Sequence, residues 1–185
     1  MITMNEIKKG LCLRVDGRLV RVVDFQHVKP GKGAAFVRTK IKEIESGRVL
    51  EKTFRDSDRI EEIQLEGRQM QLLYSDDAGY HFMDESTYEQ ITLSADDLGD
   101  AVSYLKENDV IRVDFYENRA VGIDLPAAVE LTVSKTEPAV RGNTATAATK
   151  PATLETGLTV QVPLFIAEGE KVKVDTRTGE FLGRA

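Results

Sequence analysis

Apolar and polar side chains alternate along the first third of this chain in short runs: Leu11–Val15, Arg18–Phe25, Ala35–Ile44 and Val49–Phe54. A period of two marks a strand with one buried face. Turn signals separate the runs, with Asp16-Gly17 first, Pro30-Gly31 and Gly33 next, and Ser46-Gly47 last. No interval is long enough for a helix to cover a sheet, so residues 1–64 predict a small barrel of SH3-like size.

The pattern continues beyond a boundary placed around Glu61–Gln69, where the composition turns acidic. Met70–Tyr74 and Tyr80–Met83 predict strands joined across Asp76-Asp77-Ala78-Gly79. Ser94-Ala95-Asp96-Asp97 has the form of a capping box, and Leu98, Val102 and Leu105 then share one helical face. Gly99 keeps that helix short. Val110–Tyr116 and Arg119–Leu125 predict a hairpin across Glu117-Asn118, closed by Pro126. Strands, one short helix and a closing hairpin predict an OB-type barrel over residues 65–127. Residues 128–185 predict a second one, with strands at Val129–Val133, Leu158–Val162, Lys171–Asp175 and Glu180–Gly183 and a polar loop over Pro138–Thr149. The fold class is therefore all-β, in three small barrels.

Charge changes the picture because it is unevenly spread. The whole chain carries a net charge of −6, yet residues 1–42 hold 10 Lys and Arg against 3 Asp and Glu. Residues 65–127 hold 4 against 14. A basic end beside an acidic middle is the footprint of a protein that offers one surface to a polyanion. Arg18, Arg21, Arg38, Lys40 and Lys42 interleave with apolar residues, so alternation predicts a basic outer face on the first barrel.

Catalytic and metal chemistry have no visible seat. His27 and His81 stand far apart, and no His, Cys or carboxylate cluster has metal-ligand spacing. The carboxylate pairs Asp76-Asp77, Asp84-Glu85 and Asp96-Asp97 fall in turns and at a helix cap, where such residues are usual. No Gly-x-Ser-x-Gly elbow occurs. Cys12 is alone and lies in an apolar run, where a small buried hydrophobe is expected. No apolar run approaches the roughly 18 residues of a membrane span, and Met1–Gly10 lacks a signal-peptide core. The expectation is a cytoplasmic protein that is neither an enzyme nor membrane-bound and needs no cofactor.

One segment stands out. His27-Val28-Lys29-Pro30-Gly31-Lys32-Gly33-Ala34-Ala35-Phe36 turns the chain between two strand-like runs and places Lys32 between two glycines. Nothing on either neighbour shields the lysine stem, so its backbone can approach a crowded partner closely, while Pro30 stiffens the base of the loop. The loop is no P-loop, since Gly31-Lys32 is followed by Gly33 rather than a hydroxyl residue. It is no dinucleotide fingerprint, since Phe36 stands where a third glycine belongs and a strand follows. An ordinary solvated turn and a cationic probe both fit the loop taken alone.

That segment resembles the bacterial elongation factor P family, which is related to eukaryotic and archaeal initiation factor 5A. The resemblance rests equally on Lys150-Pro151-Ala152-Thr153-Leu154-Glu155-Thr156-Gly157, continuing through Val162-Pro163-Leu164-Phe165-Ile166 to Val174-Asp175-Thr176-Arg177-Thr178-Gly179-Glu180. It implies an SH3/KOW-like first domain and two OB-type domains. It implies a monomer that binds both ribosomal subunits between the P and E sites, beside the peptidyl-tRNA. There the family relieves stalling at consecutive prolines by orienting the tRNA acceptor end, which is positioning rather than group chemistry.

Carried over position by position, the resemblance makes Lys32 the functional tip, within Lys29, Pro30, Gly31 and Gly33. Many members modify this lysine covalently through a dedicated enzyme and some leave it bare; a branch carrying a sugar modification has arginine instead, which Lys32 argues against. The family's Gly-Asp-Thr loop falls on Gly142-Asn143-Thr144, after Arg141, with Asn143 removing one charge beside RNA. Phe181 stands where a tyrosine is usual and keeps the ring without its hydroxyl, and Arg184 retains the terminal basic position. Arg18, Arg38, Lys40 and Lys42 complete the expected RNA contacts. The competing expectation is an OB-type RNA binder acting off the ribosome. Against it stand the absence of Trp, an aromatic content of 6% and the acidic middle segment.

Overall fold

The computed structural model describes residues 1–138 and 148–185 and shows an all-β protein. Among the described residues the chain forms three five-stranded sheets. The first contains β1 (Cys12–Val15), β2 (Arg18–Val28), β3 (Phe36–Glu43), β4 (Val49–Arg55) and β5 (Glu61–Ile63), in the order β4-β3-β2-β1-β5. The second contains β6 (Glu66–Asp76), β7 (Gly79–Asp84), β8 (Gln90–Leu93), β9 (Val110–Tyr116) and β10 (Arg119–Asp124), in the order β10-β9-β6-β7-β8. The third contains β11 (Ala128–Thr136), β12 (Thr149–Leu154), β13 (Thr159–Pro163), β14 (Lys171–Asp175) and β15 (Phe181–Arg184), in the order β13-β12-β11-β14-β15.

Compactness divides the chain differently from its sheets. One unit comprises Met1–Gly67 together with Val113–Gly122, and the other comprises Arg68–Arg112 together with Ile123–Ala185. In the first unit, Leu13, Val20, Val22, Val37, Ile41, Phe54 and Ile60 form a core with Met4 and Ile7. A second cluster joins Cys12, Leu19 and Ile63 to Val121, with Ile44, Leu65 and Tyr116 packed against it. Residues 113–122 are held to this unit by charge as well. Arg14 donates to the Tyr116 hydroxyl at 2.7 Å, Arg21 to the buried Asp114 at 3.1 Å, and Arg119 to Glu45 at 2.7 Å.

The second unit buries Met70, Leu72, Phe82, Leu93, Leu98 and Ile111, and a separate core gathers Leu131, Val133, Leu154, Val160, Val162, Ile166, Val172 and Val174. Tyr104 belongs to that second core. The helix expected from Leu98, Val102 and Leu105 is two pieces, α1 (Ala95–Leu98) and a 3-10 turn over Gly99–Ser103. Gly99 adopts φ 55° and ψ −132°, which no helix continues through. Ser94 caps α1 by accepting from Asp97 N, while the Asp97 carboxylate accepts from Ser94 N.

Three strands were not predicted. β5 and β8 are only 3 and 4 residues long, too short for periodicity to register. In β12, Pro151 masks the pattern because proline normally argues against an interior strand. It nevertheless stays in register opposite Gln161 of β13, and its carbonyl accepts from Thr136 Oγ1 at 3.0 Å.

The β6–β7 turn carries a hydrogen-bonded network. His81 Nε2 lies 2.8 Å from Asp76 Oδ1 and Nδ1 lies 3.0 Å from Thr92 Oγ1, while the Tyr74 ring stacks on the imidazole at 4.4 Å. The His81 contact, followed by the backbone N–H of Ala78, holds the Asp76 carboxyl below its ordinary value of 3.8. A carboxyl depressed by folding stabilises above its unfolded pKa, and that contribution is lost as pH falls through the folded one. Asp76→Asn should therefore be less stable than the parent at pH 7, with the difference narrowing below about pH 4. Chemical denaturation across pH 2–7 checks this, and a constant difference would contradict it.

Candidate nucleic-acid interface

β2 and β3 form an antiparallel arm whose last pair is Val28 with Phe36. Residues 29–35 make the loop at its end, and Lys29, Pro30, Gly31, Lys32 and Gly33 are all exposed. Among the described residues neither Lys29 nor Lys32 has an ion partner. The two glycines differ. Gly33 adopts φ +108°, which side chains rarely reach, whereas Gly31 has no such backbone and a Cβ there would meet nothing within 4 Å. Behind the loop, the Phe25 and His27 rings meet edge-on, with centroids 5.5 Å apart at 87°.

β3 alternates without interruption. Val37, Thr39, Ile41 and Glu43 are buried, and Arg38, Lys40 and Lys42 are exposed on the other face. β2 does not alternate cleanly, because the register shifts between Val22 and Asp24. The bulge leaves Val23 and Asp24 both exposed before Phe25 turns back inward. The register then determines what each cation faces. Arg38 lies between Gln26 on β2 and Thr53 on β4, Lys40 between Asp24 and Glu51, and Lys42 between Arg21 and Val49. Cross-strand neighbours on one face interact, so Lys40 stands opposite an acidic residue on each side, with no ion pair to either among the described residues, while Arg38 stands opposite neutral ones. Asp24 instead pairs with Lys9 Nζ at 3.5 Å.

The basic outer face is narrower than alternation predicts. Arg18 is ion-paired with the buried Glu43, whose carboxyl is held below the usual range by the Ser46 hydroxyl first and by Arg18 second. Arg21 is half-buried and bound to Asp114. Both belong to internal networks, because their partners sit on elements that no reading of β2 alone brings beside them. Among the described residues of β3 and the loop, the cations that oppose no acidic residue are Arg38, Lys42, Lys29 and Lys32.

The C-terminal candidates lie in the other compact unit. Phe181 is half-buried against the C-terminal core. Arg184 reaches Glu170 at 3.1 Å, and its guanidinium carbon stands 4.6 Å from the centroid of the Phe165 ring. Arg141, Gly142, Asn143 and Thr144 lie outside the described residues. Among the described residues no group of three or more His, Cys, Asp or Glu could hold a metal ion, and no helix is long and apolar enough to cross a membrane. Sequence reasoning missed Asp24 and Glu51 as neighbours of Lys40. The turn lengths constrain that register, but the bulge in β2 does not show in the residue pattern.

The loop geometry separates its glycines experimentally. Gly33→Ala should cost about 1–3 kcal/mol, the scale of one strained backbone position, while Gly31→Ala should stay within about 0.5 kcal/mol. Denaturant melts of the two variants decide this, and equal losses would contradict it.

Comparison with known proteins covers nearly the whole chain. Residues 3–60 match the family model for the elongation factor P KOW-like domain, residues 65–123 the elongation factor P OB domain, and residues 129–184 the elongation factor P C-terminal domain. The chain is 54% identical over 184 residues to elongation factor P of Caldanaerobacter subterraneus subsp. tengcongensis, and 54% identical to that of Thermoanaerobacter sp. strain X514, with 100% of each chain covered in both cases. Among solved structures, initiation factor 5A from Methanococcus jannaschii aligns with a TM-score of 0.51 at 24% identity, covering 66% of this chain and 90% of that one. An initiation factor 5A family protein from Naegleria fowleri aligns at 0.52 and 14% identity, covering 67% and 96%. These two likenesses show the fold.

Proposed function

The chain belongs to the elongation factor P family, and from that membership we propose that it binds the ribosome beside the P-site peptidyl-tRNA and relieves stalling at consecutive prolines. Lys32 is the group that reaches toward the tRNA acceptor end. The observation that carries this reading is the state of that lysine. It stands at the end of a long antiparallel arm, exposed and without an ion partner among the described residues, on a loop where Gly33 adopts a conformation suited to glycine. A cation kept unpaired at the end of a rigid arm is available to a phosphate or a tRNA terminus.

The factor would act by orientation. Holding two reactants in productive geometry lowers the barrier without donating a chemical group, so no catalytic constellation, cofactor or metal is required of it. It would work in the cytoplasm as a monomer, touching both ribosomal subunits between the P and E sites. Lys32 is also the position where a modifying enzyme would attach a covalent extension. An intact-mass measurement on protein from its native host reads that directly.

Two measurements test this function. Lys32→Ala should leave thermal stability within about 0.5 kcal/mol, as at any exposed site. It should sharply lower translation of a reporter with three consecutive prolines while a proline-free reporter is unchanged. Unaltered output on the proline reporter, with a normal melt, would remove the reading. The second concerns the β3 face. Arg38→Ala should reduce the slope of log affinity against log salt for ribosomes by about 0.7–0.9, the loss of one phosphate contact. Lys40→Ala, between Asp24 and Glu51, should change it much less; the reverse order would contradict the register argument.

A further inference from the structure

Residues 150–180 carry motifs that the proposed function leaves without a task, and their polar groups are taken up inside the protein. The Glu155 carboxylate accepts from the Thr132 backbone N–H at 2.9 Å. The Thr156 hydroxyl donates to the Ser103 carbonyl at 2.6 Å, and Asp175 Oδ1 accepts from the N–H groups of Arg177 and Thr178. The Thr176 hydroxyl and N–H both reach the Ala127 carbonyl, and the hydroxyl also reaches that of Pro126. Two turns of the third sheet therefore close on chain that precedes it.

What they close on belongs to the same compact unit and leads out of the second sheet. Between β8 and β9 the chain passes through the 3-10 turn Gly99–Ser103, and the next residue, Tyr104, is buried in the core of the third sheet with Leu131, Leu154 and Val174. Lys106 donates to the Glu130 carbonyl at 3.1 Å and lies 3.8 Å from the Glu155 carboxylate. Gly179 adopts φ +75°, and a Cβ there would stand 3.1 Å from the Tyr104 hydroxyl, so a bare backbone lets this turn close on the tyrosine. Relative motion is the default for bodies joined by one connection. Here the connection at Pro126-Ala127 is pinned by Thr176, and residues 103–106 are gripped a second time through Thr156, the Tyr104 ring and Lys106. Two separate attachments remove the swivel that one would leave.

We propose that the Glu155-Thr156-Gly157 turn and the turn over residues 175–179 form a lock that holds β6, β7 and β8 and the third sheet as one rigid body, with Tyr104 as its plug and Thr156 as its clasp. The lock rests on the geometry of the free chain. Its consequence rests on the ribosome reading above, in which Tyr104 and Thr156 become positioning residues. A factor that acts by orientation must keep its contacts in fixed relation. A loose joint spreads the second contact over many positions and lowers its effective concentration. Tyr104 is buried, so it acts through the surfaces it holds in place.

Residual dipolar couplings of backbone N–H groups, measured on the free protein in a weakly aligning medium, read the lock directly. Couplings from β6, β7 and β8 and couplings from the third sheet should fit one alignment tensor; two different tensors in the parental protein would overturn the lock. Tyr104→Ala, which removes the plug, should separate the two tensors, while Tyr104→Phe, which keeps the ring, should retain one. On purified ribosomes Tyr104→Ala should bind about tenfold more weakly, a part of the avidity that a fixed joint contributes. Tyr104→Phe should bind as the parent does. One shared tensor in Tyr104→Ala with a normal melt would overturn the role of the plug. Separate tensors with parental ribosome affinity would overturn the positioning role. Should Tyr104→Ala not fold, Thr156→Val, which keeps the shape and removes the donor, takes its place and should also separate the tensors; one shared tensor there would overturn the lock. Failure of the parental protein to bind ribosomes would remove the proposed function, and the couplings of the free protein would still decide the lock.

Discussion

The pairing of β2 with β3 is the constraint on which the N-terminal unit depends. These two strands carry the loop at one end and contribute Val20, Val22, Val37 and Ile41 to the core along their inner face. A shift of one residue in their register would send the buried set of β3 outward and the basic set inward. The core therefore enforces the orientation of Arg38, Lys40 and Lys42, although none of the three packs in it. The bulge at Val23 is the local adjustment that lets β2 keep its inner residues in place along a strand of 11 residues.

Once register is fixed, charge at this surface becomes a matter of neighbours rather than of counts. Residues 1–42 are strongly basic by composition, but the structure spends Arg18 on Glu43 and Arg21 on Asp114 and sets Lys40 between two carboxylates. In the first two pairs the carboxylate is buried, so removing its arginine would strand a desolvated charge. Their effect is to subtract cations from the field a polyanion would feel, concentrating it on Arg38, Lys42 and the loop.

Much of this was legible in the sequence. Alternation in β3, the hairpin about Lys32, the short helix after Ser94 and the all-β class follow from period and turn chemistry alone. The short strands β5 and β8 did not, because 3 or 4 residues cannot display a period. β12 did not, because Pro151 signals a break that the pairing tolerates. The partners of Arg18, Arg21 and Lys40 were illegible for a different reason. They depend on which strands become neighbours and at what offset, and Asp114 lies 93 residues from Arg21. The placements of Lys150 and Phe165 were hidden in the same way, because both fall inside a family motif and only folding turns the lysine inward and leaves the ring outside.

The composition of the first compact unit has a consequence in time. Its N-terminal stretch ends at Gly67, but its second cluster is completed by Tyr116 and Val121, in the stretch that runs to Gly122. A chain made from its N-terminus must therefore extend 54 residues beyond Gly67, from 67 to 121, before both partners exist. At about 5–20 residues per second, synthesis leaves Cys12, Leu19 and Ile63 without their cover for roughly 3–11 s. During that interval Arg21 lacks Asp114 as well. The newly made N-terminal sheet is thus an unfinished surface for seconds, and its vulnerability to wrong partners is set by the pace of its own elongation rather than by the stability of the finished fold.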